Sequence, residues 1–131
     1  MGDKKPTVLI VDDDKFLVNM YSLKFSNSGF VVLTAQNGQE ALKKLKEERL
    51  SPDALLLDIV MPSMNGLELL ASIRKENLAE HSKVIFLTNQ GVKADIETSK
   101  KLGVSAYIVK ASTIPSEVVT MVKEILEKHE I

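Results

Sequence analysis

At 131 residues the chain has room for one domain, and 44% hydrophobic residues at a mean hydropathy near zero suffice to bury a core. Its 17 Lys and Arg residues nearly balance 18 Asp and Glu, and a net charge of −1 argues against a nucleic-acid footprint, so no direct nucleic-acid partner is expected. With no cysteine, disulfides, zinc–thiolate sites and thiol catalysis are excluded. The N-terminal MGDKKPT lacks an apolar h-region and a myristoylation serine or threonine, and no apolar run reaches the ~18–20 residues of a membrane span. The expectation is one cytoplasmic domain over residues 1–131, with its core at about 7–129 and no membrane partner.

Five short apolar runs follow one another along the chain: Val8–Val11, Val31–Leu33, Ala54–Leu57, Val84–Leu87 and Tyr107–Val109. The first, third and fourth are nearly continuous, which suits strands covered on both faces in a parallel sheet. Helical stripes alternate with them. Leu17, Met20, Tyr21 and Phe25 form the first; Ala41, Leu42 and Leu45 the second; Leu69, Leu70 and Ile73 the third. Val92, Ile96 and Leu102 mark a weaker fourth, and Val118, Val119, Val122, Ile125 and Leu126 the cleanest, at the end. Turn signals fall between at Ser28-Gly29, Asn37-Gly38, Ser51-Pro52-Asp53 and Asn65-Gly66, and Gly103 reads as a helix C′ glycine. Five β-α units in a row imply an α/β open parallel sheet with helices on both faces.

Ligands of such sheets bind outside the carboxyl ends of the strands. There the first run ends in Asp12, Asp13 and Asp14, the third in Asp58, the fourth in Thr88 and the fifth in Lys110. The second ends in Ala35-Gln36-Asn37-Gly38, with nothing ionisable. Any one of these aspartates taken alone reads as a turn former or helix cap, and a lone Lys or Thr as a solvated side chain. Their joint placement on one sheet edge is the signal. Converging carboxylates raise one another's pKa unless a cation compensates, and Mg²⁺ is the natural oxygen-ligated candidate. A metal, a carboxylate nucleophile, a lysine and a hydroxyl together suit phosphoryl transfer.

The segments VLIVDDD, ALLLDIVMPSMNGLELL, VIFLTNQ and AYIVKAS resemble the receiver domain of two-component response regulators, from Val8 to the last helix. The resemblance implies a flavodoxin-like (βα)5 doubly wound sheet of strand order 2-1-3-4-5, with the second strand at an edge. It implies that Asp58 accepts a phosphoryl group from the phosphohistidine of a histidine kinase or phosphotransfer protein. Asp13 is similar to the main Mg²⁺ ligand and Asp12 to its acidic partner, with Asp58 and the backbone carbonyl of Val60 completing the protein's ligands. Lys110 matches the lysine that pairs with the phosphoryl group, Thr88 the hydroxyl residue that moves to it, and Tyr107 the aromatic switch. Met61-Pro62 and Asn65-Gly66 match the loop leading into the third helix, where glycine is expected to permit a tight turn. A downstream partner protein would read the face formed by helix 4, strand 5 and helix 5.

The sequence departs from that pattern in three places. Ala111 follows Lys110 where the family has proline, so a trans peptide and a re-aimed loop are expected, one residue longer before the last helix. Asn89 after Thr88 is larger than the small residue expected there and narrows access to the phosphoryl group. Val60 offers no polar side chain to position a hydrolytic water. Asp14 has no role in the resemblance and reads as the first helix's cap. His81 and His129 read as surface residues. Two competing functions are a Mg²⁺-dependent phosphohydrolase with an Asp nucleophile, which would carry a second acid where Val60 stands, and a degenerate receiver serving as a scaffold.

Overall fold

The computed structural model describes residues 5–89 and 92–128, so His129 lies outside the described residues. Five strands alternate with five helices: β1 (Thr7–Val11), α1 (Lys15–Asn27), β2 (Val31–Ala35), α2 (Gly38–Glu47), β3 (Ala54–Leu57), α3 (Gly66–Lys75), β4 (Lys83–Thr88), α4 (Lys93–Lys101), β5 (Ala106–Val109) and α5 (Pro115–Glu127). A 3₁₀ turn, Lys110–Ser112, joins β5 to α5. All strand pairs are parallel and the order is β2-β1-β3-β4-β5. This is the doubly wound sheet expected from the sequence, with β2 at an edge.

The continuity of the inner strands follows from their double cover. Val8 and Ile10 of β1, Ala54 and Leu56 of β3, and Ile85 and Leu87 of β4 meet Val18, Tyr21 and Phe25 of α1 and Val118, Val119 and Val122 of α5. The intervening residues Leu9, Val11, Leu55, Leu57, Val84 and Phe86 face the other way, onto Ala41 and Leu45 of α2 and Leu69, Leu70 and Ile73 of α3. A strand that must satisfy two cores has no position left for a polar side chain. The edge strand β2 is looser: Val31 is 45% exposed, and only Ala35 of this strand is buried. The β2 residues alternate in where their backbone points. Val31 N–H and Ala35 C=O bond toward β1, through Pro6 C=O and Asp12 N–H, so Val32 and Thr34 turn outward. Lys44 Nζ reaches back from α2 to donate to the Thr34 carbonyl at 2.5 Å.

The starts of α2 and α3 are set by polar caps that the sequence offered as turn residues. Asn37 and Asn65 each accept from the backbone N–H three residues on, so Asn-Gly opens α2 and α3 rather than making hairpin-like turns. Glu68 Oε1 returns the bond to the Asn65 N–H, completing a capping box. Gly103, at φ +77° directly after the Leu102 C-cap of α4, is the expected C′ glycine. The fourth stripe is the one that shifts: Val92 is the exposed N-cap, and the buried residue of α4 is Ser99, whose hydroxyl donates to Asp95 C=O.

Candidate functional site at the carboxyl edge of the sheet

The strand order places β1, β3, β4 and β5 side by side, and their carboxyl ends carry the predicted polar residues to one edge. Asp12 and Asp58 are buried there, at 6% and 7% exposure, whereas Asp13 faces solvent. Single carboxylate oxygens from Asp12, Asp13 and Asp58 lie within 4.8 Å of one another. Thr88, the last residue of β4, is 1% exposed and pairs in register with Val109, the residue before Lys110.

Lys110 supplies the compensating charge. Its Nζ donates to Asp12 Oδ2 at 2.9 Å and lies 3.9 Å from Asp58 Oδ1, with all three side chains at most 8% exposed. The lysine is thus closer to Asp12 than to the predicted acceptor. The Asp58 carboxyl is pushed up to about 6, chiefly by burial and next by the Asp12 charge; Lys110 and the Ile59 N–H pull it partly back. Burial, with the Asp12 carboxylate as a second cause, also raises the Tyr21 phenol. Tyr21 was legible only as part of the core stripe of α1, yet its ring stands close enough to feel the site.

The aspartate triplet divides by geometry. Asp12 Oδ1 accepts from the Asp14 N–H at 2.9 Å, fixing the chain's exit from β1. Asp14 Oδ1 accepts from the N–H groups of Phe16 and Leu17, at 3.0 and 3.2 Å, and so caps α1 as expected. Asp13, between them in sequence, is exposed and brings its carboxylate beside those of Asp12 and Asp58.

The corner after β3 is held by sterics. Gly66 N–H donates to Ile59 C=O at 2.8 Å, and a Cβ on Gly66 would lie 2.2 Å from the Asp58 carbonyl oxygen. Gly66 is not among the positive-φ glycines, Gly29 and Gly103, so the expected reason for this glycine needs correcting. It is required for close approach of two backbones and not for a left-handed turn. Val60, in the same corner, is 69% exposed.

The loop after β5 follows its own course. No described peptide bond is cis, as expected for Ala111 in place of proline, and a 3₁₀ turn leads to Pro115 at the first position of α5. Tyr107 of β5 is half-buried, packs edge-on to Phe86 with ring centroids 6.3 Å apart, and holds a backbone hydrogen bond from Val92 at the start of α4. Burial first, then the Asp95 charge, raises its phenol. Asn89 is exposed directly after Thr88, and His81 is exposed, as expected.

The carboxylates and lysine thus gather where open α/β sheets bind their ligands, outside the carboxyl ends of the strands. The chain belongs to the response regulator receiver domain family, whose model matches residues 8–123. Members of this family are the signalling phosphoacceptors of two-component systems. The chain is 34% identical over 124 residues to the alkaline phosphatase synthesis transcriptional regulatory protein PhoP of Bacillus subtilis, covering 95% of this chain and 50% of that protein. It thus spans about half the length of that relative. It is 36% identical over 107 residues to the chemotaxis protein CheY1 of Helicobacter pylori, covering 81% of this chain and 86% of that one. A CheY-like receiver domain structure from Methanospirillum hungatei superposes with a TM-score of 0.87 at 29% identity, covering 97% of this chain and 98% of the other.

The residues fit a magnesium ion. Octahedral Mg²⁺ with oxygens at about 2.1 Å requires ligand oxygens roughly 2.9–4.2 Å apart, and a trio within 4.8 Å needs only slight closure to meet this. The raised Asp58 carboxyl points the same way: burial raises it first and the Asp12 charge second, and a bound divalent cation would offset both by stabilising the ionised form. Among the described residues no helix is long and apolar enough to cross a membrane.

Proposed function

We propose that Asp58 is the phosphoacceptor of this receiver and that Asp12, Asp13, Asp58 and the Val60 carbonyl hold the Mg²⁺ required for its phosphorylation. The observation that carries this reading is the three-carboxylate cluster with the Lys110 ammonium inside it, at the carboxyl edge of the sheet. Bound Mg²⁺ would supply charge neutralisation of the carboxylates and of the phosphoryl oxygens. Asp58 must be ionised to attack. With its carboxyl at about 6, it is largely ionised at neutral pH, and Lys110 favours that form. A carboxylate oxygen of Asp58 forms the new O–P bond as the N–P bond of a phosphohistidine breaks, and the electron pair stays on the imidazole nitrogen of the histidine kinase or phosphotransfer protein. Lys110 then pairs with the phosphoryl oxygens, and the Thr88 hydroxyl donates to them. Its movement vacates space for Tyr107.

Tyr107 connects this event to the surface. Its hydrogen bond with the Val92 backbone ties β5 to the first turn of α4, so rotation of the ring alters how α4 begins. The α4–β5–α5 face is the surface that a downstream protein partner would read, by population shift between two arrangements. On this reading the domain is a cytoplasmic phosphoacceptor that catalyses only its own phosphorylation and dephosphorylation and itself contacts no nucleic acid.

Incubation with a small phosphodonor and Mg²⁺, followed by intact mass measurement, tests it. A base-labile phosphoryl adduct is expected on the wild type and none on Asp58→Asn. Steady turnover of a phosphomonoester would favour a phosphohydrolase instead, and no adduct under any condition a scaffold.

A further inference from the structure

Lys110 lies at the end of an edge strand, where proline does not stiffen the chain, yet its ammonium is held at 2.9 Å from Asp12 with the side chain 8% exposed. A long, flexible side chain is placed that well only if its Cα–Cβ direction is fixed. One residue brackets it. The Thr113 hydroxyl donates to the carbonyl of Val109, the residue before Lys110, at 3.2 Å. The Thr113 N–H donates to the carbonyl of Lys110 itself at 3.3 Å. Each peptide unit is planar, so fixing the two units that flank a Cα fixes its φ and ψ, and with them the direction of its side chain.

Thr113 is free for this because it is not the cap of α5. That position belongs to Ile114, whose N–H is held by Glu117 Oε1 at 2.9 Å, ahead of Pro115 at the first helical position. With Ile114 at the cap, the Thr113 hydroxyl bonds to the end of β5 and not to the helix start.

We infer that Thr113 is a positioning residue for Lys110: through its bonds to the Val109 and Lys110 carbonyls it does, with a side chain, what a ring would otherwise do to this loop. The inference rests on the reading of Lys110 as the cation of the phosphoryl site, and two readouts separate the one from the other. The first is the Lys110 ammonium signal in ¹H–¹⁵N NMR of the unphosphorylated, Mg²⁺-free protein, whose visibility requires a held ion pair. The second is the phosphorylation rate with a small phosphodonor.

Thr113→Val, which keeps the shape and removes the donor, is expected to broaden or abolish the Lys110 signal and to slow phosphorylation roughly three- to tenfold, the effect of one lost hydrogen bond. Thr113→Ser should restore both. In a Lys110→Ala background, Thr113→Val should slow the reaction no further, because its effect passes through the lysine. An unchanged Lys110 signal in Thr113→Val, or an equal slowing with and without the lysine, overturns the inference. A lost signal with an unchanged phosphorylation rate leaves the positioning role supported and removes Lys110 from the reaction.

Discussion

The two corners that deliver the Asp58 carboxylate and the Lys110 ammonium are built on opposite principles. The β3–α3 corner holds Asp58 by backbone packing: Gly66 lies so close that a methyl group would meet the Asp58 carbonyl at 2.2 Å, and a capping box locks the helix behind it. The β5–α5 corner holds Lys110 by two hydrogen bonds at 3.2–3.3 Å in an open 3₁₀ turn. The position of the Asp58 carboxylate thus rests on backbone contacts that have no soft alternative, and that of the Lys110 ammonium on two hydrogen bonds, one of which a single side-chain substitution removes.

Gly66→Ala tests the contrast at its strongest. The new methyl must displace the Asp58 backbone, and a loss of roughly 3 kcal/mol or more is expected in denaturant unfolding, together with loss of phosphorylation. A cost within experimental error would show that the corner yields as easily as the β5 loop.

The pH dependence comes next. The folded Asp58 carboxyl lies above its ordinary 3.8, at about 6, so the folded state binds the proton more tightly than the unfolded chain. Its contribution to stability is most favourable below pH 3.8 and is lost as pH rises through 6. Without divalent cations, Asp58→Asn should stabilise the protein at pH 7 by on the order of 2–3 kcal/mol relative to the wild type, with the gain vanishing toward pH 4. Unfolding midpoints across pH 4–8 measure it. A pH-independent difference would mean that the carboxylate is not destabilised by its surroundings. Added Mg²⁺ should raise the wild-type midpoint and flatten the slope.

The smallest effect separates neighbours in the triplet. Asp14→Ala removes the α1 cap and should cost about 1 kcal/mol while leaving the Mg²⁺-induced shift in melting temperature intact. Asp13→Ala should do the reverse: little change in stability, with the Mg²⁺ shift and phosphorylation lost. Equal losses in both would erase the distinction between ligand and cap.

Much of this was readable in the residues because a parallel sheet sends every strand end to the same edge. With Val8–Val11, Ala54–Leu57 and Val84–Leu87 read as doubly covered parallel strands, Asp12, Asp58 and Thr88 fall on one sheet edge; that their strands lie side by side was implied by the resemblance to receiver domains and not by the apolar runs. What was not readable depends on distances that pattern does not encode. Asn37-Gly38 and Asn65-Gly66 carry the same residues whether they turn or cap, and only the helix that follows decides. Gly66 looked like a conformational glycine, but its φ is not positive and its crowding comes from the backbone of Asp58 and Ile59, just past the end of β3. In α1 the buried stripe is Val18, Tyr21 and Phe25, one position round from the Leu17 that the pattern equally allows, and in α4 the buried residue is the polar Ser99, which no hydrophobic stripe includes. Thr113 carries no signal in one dimension, since its role depends on which residue caps α5.

The reach of Lys44 to the Thr34 carbonyl has a bearing on how these molecules behave in a crowd. An open sheet edge is a template for strand addition by another chain, and β2 leaves Val32 and Thr34 pointing outward to receive one. An incoming strand would have to evict an ammonium group from one of those acceptors and leave it only the looser pairing with Glu40 at 3.7 Å. One lysine thus stands in the path of strand addition at this edge.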